Sequence, residues 1–277
     1  MRRLIPSVDT FDGNSLLPVW DELDALEEQL ERADDWYRRT QVLSDRRLDG
    51  AHRAGRRAYI EAHALIGKAR ESQLLLAQTM TTPGVNVFPH ATANIIRPAL
   101  EAAARALFIL DGETTQERRF RGLRISVEDH SESKKWAQEL MLPLFMGDEE
   151  IESHRSRQAR ITKRFSEDAE SLSIHWDKVT NKINFRDEIG KFSHLRSNPE
   201  LAAFLRAIWR RMSGVQHGMS YASLLGNEKH DQVEIPGGVE VLLLTDDDTL
   251  LTECRASALM QRWAMEKYIQ RTYRLTR

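Results

Sequence analysis

The sequence predicts a mainly α fold, a multi-helix bundle with a small β-hairpin near residues 232–244. Three observations carry this. Apolar residues recur at three- and four-residue steps along most of the chain, as in helices with one buried stripe. Charged residues make up 30% of the 277 and hydrophobic residues 41%, the balance expected when each helix pairs a narrow apolar stripe with a broad solvated face. Only 239–244 reads as a strand. A lone strand needs a partner, and 232–235 can supply one across Pro236-Gly237-Gly238.

The elements follow in order. Residues 1–17, with Pro6 and Gly13, read as an extended leader. Pro18 suits a first helical turn, and Trp20, Leu23, Leu26, Leu30, Ala33 and Tyr37 keep the helical period to about residue 44. A second helix is expected over 48–80, stopped by Thr81-Thr82-Pro83-Gly84. A third, 90–110, is almost wholly apolar or alanine from Pro98 onward, so it belongs in the middle of a bundle. Helical patterns then cover 115–142 and 148–172, the latter highly charged and exposed. Residues 173–197 read as a linker or short irregular helices. Asn198-Pro199-Glu200 is a strong start signal for a helix to about residue 225. Residues 226–238 read as loop, and Asp246-Asp247-Asp248 caps a last helix to about residue 273. This gives three expected divisions: long N-terminal helices over 1–89, a helical core over 90–225, and the hairpin with the C-terminal helix over 226–277.

Bulk properties remove several functional classes. A formal charge of −2 provides no whole-protein field to draw the chain onto nucleic acid, although a local basic groove remains compatible with it. Cys254 is the single cysteine; it permits neither an internal disulfide nor a thiolate zinc cluster and reads as a small core residue. The basic start, Met1 to Pro6, lacks a signal peptide's apolar segment, and no apolar run approaches the roughly 18 residues of a membrane span. A cytoplasmic protein without membrane contact is expected. Phosphate-binding glycine loops, the hydrolase Gly-x-Ser-x-Gly elbow and Glu-x-x-His pairs are all missing from the sequence, and no cofactor or metal is expected. His52, Glu61 and His63 form a weak metal-ligand set that also reads as a solvated helix face. The run Arg53 to Arg57 reads as a basic face able to touch phosphate. Core packing is expected for each of the six tryptophans, with Trp209 also placed for base stacking.

The helix from Pro199 carries the chemistry of interest. Leu201, Leu205, Ile208, Met212, Val215 and Met219 form one apolar stripe. Arg206, Arg210, Ser213, His217 and Tyr221 fall on the other side. At about 100° per residue, Arg210 and His217 lie about 20° from eclipsed, two turns apart. An imidazole with a pKa near ~6.5 can take a proton from a ribose 2′-hydroxyl at neutral pH, while a guanidinium stabilises charge building on the phosphoryl oxygens. The same residues also suit a histidine bonded to backbone beside arginines that are solvated or paired with acids. Gly214 and Gly218, four apart, leave room for close backbone packing.

The stretch Arg210-Arg211-Met212-Ser213-Gly214-Val215-Gln216-His217 resembles the Arg-x4–6-His signature of HEPN-domain proteins. Upstream, Arg97-Pro98-Ala99-Leu100-Glu101-Ala102 resembles the helix that precedes a Ser-x-x-x-His-Gly segment, here Ser213 to Gly218, in related bacterial helical families. The resemblance covers residues 90–225. It implies a bundle that dimerises across the motif helix, with metal-independent ribonuclease activity in many members and inactive scaffolds in others; several members are toxins or phage-defence proteins. It therefore implies RNA, a second copy of the chain, and an antitoxin or defence-system protein as partners. On this resemblance Arg210 or Arg211 contacts the scissile phosphate, His217 transfers the proton, and Arg97 with Glu101 orients or neutralises the site. The sequence departs from the common motif where Met212, not a polar residue, follows Arg211, and two arginines compete for one role. The alternative is a non-catalytic helical interaction or regulatory module in which Gly214, Gly218 and the arginines form a partner interface.

Overall fold

The computed structural model describes residues 13–82, 89–140, 145–219, 222, 227–235, 238–245 and 247–273. The body is helical. A 3-10 turn, Gly13–Leu16, leads into α1 (Leu17–Arg39), whose residues Trp20, Leu23, Leu26, Leu30 and Ala33 are buried at the expected period. The helix stops short of residue 44 because Ser44 starts another. Its extended backbone and its hydroxyl, which accepts from the Arg47 amide at 3.4 Å, cap α2 (Asp45–Gly50). The helix expected over 48–80 is therefore two, α2 and α3 (Arg53–Thr81).

α4 (Pro89–Leu110) is buried along its length, as its apolar composition implied: Ile96, Leu100, Ala103, Leu107 and Leu110 are all fully buried. α5 (Thr115–Leu140) and α6 (Asp148–Ser171) follow. Two short helices, α7 (Trp176–Thr180) and α8 (Phe185–Ile189), and a 3-10 turn at Ser193–Leu195 fill 173–197. α9 (Pro199–Gln216) and α10 (Asp247–Tyr273) complete the helices used below.

The expected hairpin near 232–244, with loop before it, needs correcting. The paired strands are β1 (Asn227–Ile235) and β2 (Gly238–Thr245), antiparallel from Asn227 opposite Thr245 to Ile235 opposite Gly238, with a register shift between His230 and Gln232. The polar stretch that opens β1 carries no apolar alternation to mark it as strand, so its pairing comes from the backbone ladder. These two strands form a sheet of their own, and the helices define the fold class. Trp136 also departs from expectation: its side chain is 63% exposed on α5.

The chain groups into two compact units. The first comprises Met1–Arg32, Leu65–Ala104 and Phe185–Glu266; the second comprises Ala33–Ala64, Arg105–Asn184 and Lys267–Arg277. Each draws on all three contiguous stretches, 1–89, 90–225 and 226–277. The first unit carries a buried polar relay: Trp20 Nε1 donates to Gln73 Oε1 at 3.2 Å, and Gln73 Nε2 donates to Ser257 Oγ at 2.8 Å. Ser257 Oγ in turn donates to the Cys254 carbonyl at 2.9 Å. Every member of that relay has a partner, so its burial carries no stranded polar atom.

The second unit is organised around Asp49, which is fully buried. Arg118 clamps it with two bonds, Nε to Oδ2 at 2.6 Å and the second arm to Oδ1 at 3.0 Å, and the Tyr59 hydroxyl donates to Oδ2 at 2.9 Å. Such a planar two-point clamp is the geometry in which arginine binds carboxylate best. Beside it, Ala54, Leu123, Val127, Phe165, Ala169, Leu172 and Val179 form an apolar cluster that buries one face of α6. A Cβ placed on Gly122 would lie 2.2 Å from the Ala58 Cβ, so α3 and α5 approach to a distance only glycine allows here.

Candidate functional site

α9 begins where the sequence indicates. Asn198 accepts from the Leu201 amide at 3.0 Å, and Pro199 occupies the first turn. Its buried face is Ala202, Leu205, Ile208, Trp209, Met212 and Gly214. That face is rotated toward Trp209 relative to the expected stripe, and Met219 is 50% exposed. The helix also ends at Gln216, not near residue 225.

Gly218 supplies the reason. Its φ is +67°, a left-handed conformation that glycine adopts without a Cβ penalty. The Gly218 amide donates to the Val215 carbonyl at 3.0 Å and the Met219 amide to the Gly214 carbonyl at 2.8 Å. This pair of bonds is the Schellman termination, which satisfies carbonyls left open by the helix end. The glycine read as a packing position is a stop. A Cβ there would meet nothing within 4 Å.

His217 is therefore the cap residue, outside the last helical position, with an exposed side chain. Among the described residues no hydrogen bond or ion pair engages its ring. Arg210 is exposed on α9 and Ser213 is half-buried. Tyr221 lies outside the described residues.

The remaining sequence-chosen groups turn inward. Arg211 bonds Glu253 of α10, whose side chain is buried. A carboxylate taken out of water needs such a cation, and removing either partner strands the other. Arg97 and Glu101, one turn apart on α4, form the ion pair that their spacing implied, at 3.0 Å. The Arg97 guanidinium also lies 3.7 Å over the Trp209 ring. Burial pushes the Arg97 pKa down, and Glu101 opposes that shift. Trp209 is itself buried and stacks on Phe185 of α8 with ring centroids 6.1 Å apart. It is a packing residue, with no open face for a base. Arg97, Glu101 and Trp209 thus come together, and Arg211 joins Glu253. His217 meets none of them. Comparison with protein families, curated proteins and solved structures finds no match for this chain.

Other sequence candidates separate. His52 bonds Ser171 Oγ at 2.8 Å, Glu61 accepts from Ser126 Oγ at 3.5 Å, and His63 faces Asp34 at 3.3 Å. Among the described residues no group of three or more acidic, histidine or cysteine side chains is placed to hold a metal. Within the basic run, Arg53 and Arg57 both bind the buried Asp168, at 2.7 and 3.2 Å, and Arg56 is exposed. No helix among the described residues is long and apolar enough to cross a membrane. Glu253 and Phe185 were not singled out from sequence. A lone acid in the apolar stretch of α10 was the available signal for Glu253, but its partner arginine lies far away in the chain.

Proposed function

We propose that this chain is a HEPN-like helical protein that acts on RNA without a metal, in a toxin or phage-defence setting, with His217 as the proton-transferring group. Arg210 is the arginine that meets phosphate. The observation that carries this reading is the division of labour at the end of α9: Arg211 is held by buried Glu253, whereas Arg210 and His217 both stand on the exposed surface. The two arginines that compete in the sequence then differ in place, Arg211 anchoring α9 on α10 and Arg210 exposed on α9. Imidazole and guanidinium need no metal to move a proton and steady an oxyanion.

Cleavage of a structured RNA by the purified chain in the presence of a chelator tests it. His217→Ala and Arg210→Ala should each reduce the rate by roughly 100-fold or more, with melting temperatures unchanged. Retention of full activity by His217→Ala would sink the catalytic assignment.

A second reading has its own support. Arg97, Trp209 and Arg211 are all spent on internal contacts, as expected of a non-catalytic interaction module. It requires that induced expression of wild type and His217→Ala affect growth equally.

A further inference from the structure

The second unit contains a cavity of about 470 Å³, within the range of roughly 300–1,000 Å³ typical of small-molecule sites. It is bounded by residues of α1, α2, α3 and α10 that all belong to that unit. Its inner wall is aromatic. The Arg46 guanidinium carbon lies 3.9 Å from the Tyr37 ring centre, 5.0 Å from that of Tyr268 and 5.7 Å from that of Tyr59.

The polar groups of this wall satisfy one another. Asp34 pairs with Arg46 and accepts from the Tyr268 hydroxyl at 2.9 Å, and His63 Nε2 lies 3.3 Å from its second oxygen. The Tyr59 hydroxyl is taken by Asp49. Burial alone would raise the Asp34 pKa. The bonds from His63, Arg46 and Tyr268, together with the charge of Arg46, outweigh it and hold the carboxyl well below the usual range. Asp34 is thus an anion already matched by its own cation.

The rim differs. Ile60 is 68% exposed, a large apolar side chain at the mouth. Arg56 is exposed and spends one arm on the Gly50 carbonyl at 2.9 Å, and the His63 ring is half exposed. Among the described residues Asp34 is the single acid lining the cavity, and its pairing with Arg46 leaves the Arg56 guanidinium as the charge at the mouth. A flat apolar body finds the half-buried Tyr37 ring and the exposed Ile60 side chain to lie against, with the buried Tyr59 and Tyr268 backing the wall, and an attached anionic group finds Arg56 and His63 at the edge.

We propose that this cavity binds a small organic anion with a flat aromatic body, of mononucleotide size, its charge held by Arg56 and His63. The assignment is independent of the RNA reading at the end of α9 and survives that reading's failure.

Isothermal titration of the full chain with adenosine monophosphate, and separately with indole-3-carboxylate, tests it. Saturable binding of at least one probe at one site per chain is expected. That binding should weaken about tenfold or more in Arg56→Ala, an exposed position whose replacement leaves the melting temperature unchanged. His63→Ala, as a second variant, should weaken the same probe. No saturable binding of either probe overturns the proposal, as does undiminished affinity in both variants. Adenosine binding as tightly as its monophosphate removes the anionic requirement and overturns it. Orthophosphate binding as tightly removes the aromatic requirement with the same consequence.

Discussion

The end of α9 and the tyrosine-walled cavity use the same three ingredients, an arginine, a carboxylate and an aromatic ring, and pack them differently. Around α9, Arg97 lies on Trp209, Trp209 on Phe185, and Arg211 on Glu253; the aromatic surface is used up internally. In the cavity, Arg46 is surrounded by three tyrosines whose hydroxyls must reach partners. Tyr59 turns its hydroxyl to Asp49 and Tyr268 turns its own to Asp34. Two of the three rings are tethered at their polar ends, and a hollow remains beside them. Indole and phenyl rings fill space; tethered phenols leave it.

The largest expected effect tests whether those tethers are structural. Asp49→Asn or Arg118→Ala breaks a fully buried clamp and should cost about 3–5 kcal/mol, because the surviving partner is left uncompensated in the interior. Chemical denaturation measures it, and a cost below about 1 kcal/mol would mean that the clamp does not organise the second unit.

In the closed region, Glu253→Gln should cost less, about 1–3 kcal/mol, since Arg211 keeps a neutral acceptor and part of its side chain reaches water. If this variant also loses RNA cleavage with its melting temperature intact, Arg211 is more than an anchor.

The acid dependence of Asp34 comes next. Its carboxyl is held below the ordinary value, so its contribution is fully present above the unfolded pKa near ~3.9 and disappears as pH falls through the lower folded value. Unfolding free energies measured from about pH 5 down to about pH 3 should decline more steeply in wild type than in Asp34→Asn.

Smallest is Gly218→Ala. A Cβ meets open space there, which leaves only the left-handed backbone cost of roughly 1 kcal/mol. A stabilised variant would mean that α9 can run on past Gln216.

The helices were legible wherever local pattern decides them. The apolar period of α1, the alanine-rich α4 and the Asn198-Pro199 start all reappear in place. Two boundaries were readable but underweighted: Ser44 is a good N-cap, and Gly218 directly follows a periodic segment, the usual place for a left-handed stop. Met219 continues the apolar period past that glycine and masked the signal. At the site, Arg97 and Glu101 could be paired because a helix fixes residues four apart on one face. The Arg211–Glu253 bond, the grouping of Asp34, Arg46, His63 and Tyr268, and the burial of Trp209 depend on which helices meet. No local pattern encodes that. The hairpin shows the same limit, since the polar start of β1 is a strand only through its neighbour.

The contact between Gly122 and Ala58 makes the second unit steerable from a distance. Arg118 lies one turn before Gly122 on α5, and Tyr59 follows Ala58 on α3, so a side chain at 122 would act as a wedge between the holder of Asp49 and one wall of the cavity. The hollow could then be closed or sprung by a substitution that touches none of its lining.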